Sequence, residues 1–84
     1  MTMVEIRWFA GAAEAAGRAS ESREADPGAS VADVLAAAAA GHDRLVRVLE
    51  VSTVLLDGAR SPDTAAPLPP GDHAVDVLPP FAGG

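Results

Sequence analysis

Val4, Ile6 and Trp8 alternate with Glu5 and Arg7, the period-two pattern of a strand with one buried face. Phe9 follows, where a turn would fold it back under the sheet. Between Gly11 and Gly17 runs Ala-Ala-Glu-Ala-Ala. Alanine is the best helix former, but so short a run cannot nucleate alone in water, which predicts one or two turns held by the body. Residues 19–25 are polar and weakly patterned, and read as an edge strand ending at the turn Asp26-Pro27-Gly28. The main helix begins at Ser30, whose hydroxyl caps free backbone N–H groups, with Asp33 three residues on as an acidic variant of the capping box. Val31, Val34, Leu35 and Ala38 then form one apolar stripe. Alanines from Ala36 to Ala40 lose no side-chain entropy, and Gly41 supplies the stop. Asp43 reads as the cap of a second short turn carrying Leu45, Val48 and Leu49.

Val51 to Leu56 is β-branched and aliphatic and runs into Asp57-Gly58, a strand entering a tight turn. Leu68-Pro69-Pro70-Gly71-Asp72 is a further turn. Val75 and Val77 alternate with Asp76 in a last strand, which Pro79-Pro80 ends because proline donates nothing to a sheet ladder. The order is strand, strand, helix, strand, strand. It predicts an α+β fold with one main helix packed across one face of a small mixed sheet, a β-grasp or ubiquitin-like roll. The first and last strands then lie side by side at its centre, joined in parallel through the helical connection. Val4, Ile6 and Trp8 would meet Val75 and Val77 beneath Val31, Val34 and Leu35. Residues 1–80 form the β-grasp domain and 81–84 a flexible C-terminal tail, with no internal repeat and no interdomain linker.

Composition thins this core. Hydrophobic residues are 49% of the 84, but 19 of them are alanine. A core with so few large side chains holds one small layered domain together without enclosing a roomy active-site cavity, which argues against a self-sufficient enzyme. Twelve acidic residues oppose six arginines, lysine is absent and the net charge is −6. Such a chain repels phosphate backbones and anionic lipid, so nucleic-acid and membrane roles are disfavoured and a basic protein partner is favoured. The lack of cysteine excludes a disulfide framework, a thiolate nucleophile and a Cys-rich zinc site. Glu5 and Arg7 interrupt the apolar stretch a signal peptide needs, and no segment approaches the ~20 apolar residues of a membrane span. The expected location is a reducing cytoplasm.

The segment after the last strand carries the candidate chemistry: Pro79-Pro80-Phe81-Ala82-Gly83-Gly84. Two prolines stiffen the exit from the sheet. Side-chain bulk then falls from Phe81 through Ala82 to two glycines, which lack a Cβ and can thread a tunnel no wider than a backbone. A carboxylate at the tip of so slim a probe is a chemical handle that no side chain duplicates. Small terminal residues are common at frayed ends, but here they follow a rigid exit from a strand of a β-grasp, and they read as functional.

At this point the chain resembles the MoaD/ThiS group of ubiquitin-like sulfur carriers, most closely the small subunits of molybdopterin synthase. The resemblance covers essentially the whole chain. It rests most on Leu68-Pro69-Pro70-Gly71-Asp72 and on Val75 through Gly84, with weaker support from Val4–Ala10, Glu14–Arg18, Ser30–Leu35 and Val54–Gly58. It implies a carrier rather than a catalyst, with the catalytic groups on its partners and no cofactor bound by this chain. A ubiquitin-activating-like adenylyltransferase and sulfurtransferase would use ATP and Mg²⁺ to adenylate Gly84. A persulfide sulfur would displace AMP, leaving a thiocarboxylate, that is, a 1-thioglycine. The large subunit of molybdopterin synthase, in a heterotetramer, would bind cyclic pyranopterin monophosphate and take two sulfurs to make the dithiolene. Gly84 would be the reacting residue, Gly83 would provide clearance, and Pro79, Pro80, Phe81 and Ala82 would set reach and direction. The alternatives are a sister carrier for cysteine, thiamine or secondary-metabolite biosynthesis, a β-grasp interaction module that is never activated, and a modifier joined to protein lysines.

The chain departs from the family pattern at Ala12, where a leucine is usual, and at Ala13, which predicts a weakly packed first helix. Phe81 stands where a smaller aliphatic residue is common. It reads equally as a docking anchor for a partner pocket and as a side chain folded onto its own sheet edge. His42 and His73 lack a second ligand at metal spacing and read as solvated loop histidines. Asp72 and Asp76 read as a turn residue and an outward-facing strand residue. Gly11-x₅-Gly17 lacks the spacing of a phosphate loop.

Overall fold

Among the described residues of the computed structural model, 2–61 and 63–80, five strands and three helices form. They run in the order β1 (Thr2–Trp8), α1 (Gly11–Ala16), β2 (Ser20–Ala25), α2 (Val31–Ala39), α3 (Asp43–Glu50), β3 (Thr53–Leu56), β4 (Ala59–Arg60) and β5 (His73–Leu78). The strands make one mixed sheet in the order β2-β1-β5-β3-β4. The central pair is parallel, with Val4 opposite His73 and Trp8 opposite Val77. This is the β-grasp arrangement that the alternation and the intervening helix predict.

Register explains the core. Val4, Ile6 and Trp8 point to the same face as Val75 and Val77, and all five are buried. The stripe Val31, Val34, Leu35 and Ala38 of α2 joins them in one apolar cluster. Ser30 caps α2 with both halves of the capping box: its Oγ accepts from Asp33 N at 3.1 Å, and its own N–H donates to Asp33 Oδ2 at 3.0 Å. Gly41 then leaves the helix at φ +81°, in the left-handed region where a Cβ is costly.

Four local expectations need correction. Asp43 is the first helical residue of α3, not its cap; His42 holds the N-cap position without a side-chain cap bond. What was expected to be a short turn is an eight-residue helix, anchored by the fully buried Leu45 and packed against both α1 and α2. Val51 does not open the next strand. It closes α3, stands 63% exposed, and β3 begins at Thr53. Phe9 does not fold under the sheet but stays 42% exposed.

The remaining differences are small and have physical causes. Asp57-Gly58 does turn the chain, and a two-residue strand, β4, returns along β3 beyond it. Strand β2 is polar because it lies at the edge, yet Glu21 and Arg23 sit in register with Ile6 and Val4, on the inward side. They are satisfied there: Trp8 Nε1 donates to Glu21 Oε1 at 3.1 Å, and Arg23 Nε donates to Glu21 Oε2 at 2.9 Å. Ala12 is fully buried at the position where the resemblance expects leucine, and Ala16 is buried beside it.

Candidate functional site

The site suggested by the sequence begins where β5 ends. Being central, β5 is held on both flanks to its last residues. Val77 pairs with Trp8 and Leu78 with Thr53, and Phe9 N donates to Val77 O at 3.2 Å. Pro79 and Pro80 follow immediately, with Pro79 half-buried and Pro80 exposed. Neither has an N–H to extend the ladder, so the chain must leave the sheet here along a stiff, extended path. Phe9, just after β1, and Val51, which closes α3 ahead of β3, are both exposed apolar side chains. Phe81, Ala82, Gly83 and Gly84 lie outside the described residues, and so does the choice between a docking and a folded-back Phe81.

The strand beneath the exit is braced by charge. Arg7 and Asp76 stand opposite one another across the parallel pair, on the face away from the core. The guanidinium grips the carboxylate with two nitrogens: Nε donates to Oδ1, and Nη2 donates to Oδ2 at 3.0 Å. The hydrogen bond donated to the Asp76 carboxylate, followed by the charge of that carboxylate, holds the Arg7 guanidinium above its ordinary range. Asp76 does face outward, as expected, but it is buried to 8% exposure rather than solvated. Its pairing with Arg7, an interaction between residues far apart in sequence, is what alternation alone misses.

Asp72 lies in the exposed turn before β5, as its neighbours predict. His42 is exposed. His73 is not a solvated loop residue: it opens β5, and its side chain is only 10% exposed between Asp57 and Pro69. Among the described residues no group of three or more His, Cys, Asp or Glu side chains is placed to hold a metal ion. No helix among them is long and apolar enough to cross a membrane. A groove of about 600 Å³ runs between α2, α3 and β3, lined by side chains such as Leu35, Ala39, Leu49 and Val54. It is open, and its lining also carries the polar side chains Glu50, Ser52, Arg60 and Ser61. The described residues form a sheet platform whose central strand, paired on both sides, runs into Pro79-Pro80.

Comparison with known proteins agrees with this form. The ThiS family profile matches residues 6–84, from the second half of β1 through Gly84. No curated protein sequence matches the chain. Among solved structures, the chain is similar to SAMP1 of Haloferax volcanii, with a TM-score of 0.81 at 28% identity over 98% of this chain and 99% of that one. It is also similar to the HVO 2177 protein of the same organism, with a TM-score of 0.79 at 34% identity over 99% of this chain and 87% of that one. A likeness of fold alone, with a TM-score of 0.67 at 23% identity over 98% and 99% of the two chains, links it to a complex of subunits 1 and 2 of molybdopterin-converting factor from Helicobacter pylori. With the sheet order, the directed exit and a profile match over almost its whole length, the chain belongs to the ThiS family of ubiquitin-like sulfur carriers.

Proposed function

We propose that this chain carries sulfur as a thiocarboxylate on Gly84 and donates it, as the small subunit of a molybdopterin synthase, to a pterin precursor in molybdenum cofactor biosynthesis. The observation that carries the reading is the family match running through Gly83 and Gly84, directly beyond a proline-stiffened exit from the central strand. A carboxylate is a poor electrophile, so the carrier depends on a partner. ATP transfers AMP to the Gly84 carboxylate and pyrophosphate leaves. A partner persulfide then attacks the acyl carbon and expels AMP. A second thiol cleaves the resulting S–S bond, is itself oxidised to a disulfide, and leaves the thiocarboxylate. Its soft sulfur is a strong nucleophile at neutral pH. A large-subunit partner supplies the pterin site and the acid–base groups, and the steps take place in the cytoplasm.

A second reading has an observation of its own. The similar chains above 25% identity include SAMP1, a small archaeal modifier protein. A modifier would use the same activated Gly84 and be attacked by a protein lysine amine, forming an isopeptide bond. This chain has no lysine and so offers no such amine to a second copy of itself.

Co-expression with a ubiquitin-activating-like enzyme and a sulfur source tests the reading by intact mass. The carrier gains one sulfur in exchange for one oxygen, localised to the C-terminal residue. An unmodified mass under conditions that thiolate a control carrier would refute it. Affinity capture then assigns the acceptor. A molybdopterin synthase large subunit held without a covalent bond supports the first reading, and a ladder of isopeptide adducts supports the second.

A further inference from the structure

The turn from β3 to β4 places Asp57 at φ +52° and Gly58 at φ +84°, the left-handed pair that a two-residue hairpin requires. Glycine adopts this freely, whereas aspartate does so at some cost and needs local hydrogen bonds to hold it there. Asp57 has three. Its N–H donates to Ala74 O at 2.8 Å, its Oδ1 accepts from Ala74 N at 2.8 Å, and its Oδ2 lies 2.6 Å from His73 Nδ1. The other ring nitrogen of His73, Nε2, lies 2.8 Å from the carbonyl oxygen of Pro69.

A carboxylate and a peptide carbonyl are both acceptors, and a neutral imidazole has one N–H to give. Only the imidazolium makes both contacts at once. The charged groups that share the shallow depression with His73 are Glu5 on β1, Asp57 on the turn and Asp72 on the preceding loop, all of them acidic. We propose that His73 is a protonated staple that ties the Pro69–Asp72 loop to the β3–β4 turn, and that a rise in pH opens it at the Pro69 end. On losing its proton the ring keeps the Nδ1–H bond to the Asp57 carboxylate. Its Nε2 lone pair then faces the Pro69 carbonyl lone pairs, and the two repel. The loop is otherwise tethered at its start, where Leu68 N donates to Ala29 O at 2.8 Å, so the freed segment is the stretch from Pro69 to Asp72.

The titration has a definite sign. His73 is raised above 6.5, first by the Asp57 hydrogen bond, then by the Pro69 carbonyl, with smaller help from the charges of Asp57 and Asp72 and against the cost of burial. The folded state thus binds the proton more tightly than the unfolded chain. The stabilisation is fully present below the unfolded value and is lost as the pH rises through the folded one. Asp57 is held below 3.8, chiefly by the Ala74 N–H and then by His73, so the acid limb of the staple fails only as the pH falls through that lowered value.

Histidine-ring ¹⁵N NMR of the full chain between about pH 5 and 9 tests this, combined with backbone order parameters for Gly71 and Asp72. The expected result is a His73 midpoint above 6.5 with both ring nitrogens protonated below it, and a loss of order at Gly71 and Asp72 that tracks the same titration. Asp57→Asn, which tolerates the left-handed turn, moves the midpoint down. His73→Gln leaves loop order independent of pH across the range. A midpoint at or below 6.5, or loop order that ignores the titration in the unaltered chain, would overturn the proposal.

Discussion

Asp76 and Arg7 show how two charged residues on the outer face of a sheet can differ in their dependence on one another. The Asp76 side chain is 12% exposed and the Arg7 side chain 46%. Removing the guanidinium leaves a carboxylate with little access to water, whereas removing the carboxylate's charge leaves a guanidinium that water can still reach. Arg7→Met is therefore expected to destabilise the fold more than Asp76→Asn, and urea midpoints measured at the same pH and salt decide the order. Equal losses would mean that the pair is symmetric and screened like an ordinary surface bridge. Alternation along β5 puts Asp76 on the correct face, since it depends only on the pleat. Its burial was not legible, because that comes from Arg7 in a strand almost the whole chain away. His73 was misread for the same reason: its partners, Asp57 and Pro69, are supplied by two turns that meet only in the folded sheet.

At the scale of elements, the structure departs most from sequence expectation at α3. An aspartate ahead of an apolar run resembles a helix cap, and a β-branched valine resembles the start of a strand. Yet Asp43 lies inside the helix and Val51 closes it. Caps and boundaries are decided by backbone geometry that neighbouring packing imposes, whereas the buried position, Leu45, follows from amphipathic spacing and was readable. By contrast, Ser30 and Asp33 form a strictly local capping box, so the start of α2 was readable to the residue. Leu45 is 1% exposed, and its helix packs against both α1 and α2. Leu45→Ala is expected to cost about 2–5 kcal/mol, by lost transfer free energy together with the cavity left behind. The accompanying signature is early loss of amide protection in α1 as well as α3. That follows from α1 having only alanines, Ala12 and Ala16, as its buried anchors. Protection lost in α3 alone would show that the short helix is held by the sheet instead.

For the molecule as a whole, the proposed function divides the labour between a platform and a probe. The buried apolar residues of β1, β5 and α2 form a single cluster, and the central strand is hydrogen-bonded on both sides to its end. A force on the residues beyond Pro80 is therefore met by the middle of the sheet rather than by a frayed edge. The large share of alanine limits the size of that core but not its continuity, and a carrier of the proposed kind, reacting through Gly84, needs nothing more from it. Stability and transfer should then separate cleanly. Deleting Gly84, or appending one residue after it, is expected to leave the urea midpoint and the amide spectrum of residues 2–80 unchanged, because the buried apolar cluster is complete within the described residues. On the proposed function the same variants lose thiocarboxylate formation altogether, since the reaction proposed for Gly84 depends on its carboxylate being presented at that reach. Intact mass after incubation with the activating enzyme and ATP measures the second effect, and urea titration measures the first. Retained sulfur transfer in the deletion variant would move the reacting group off Gly84. A lowered urea midpoint would mean that the tail packs on the platform and is part of its fold.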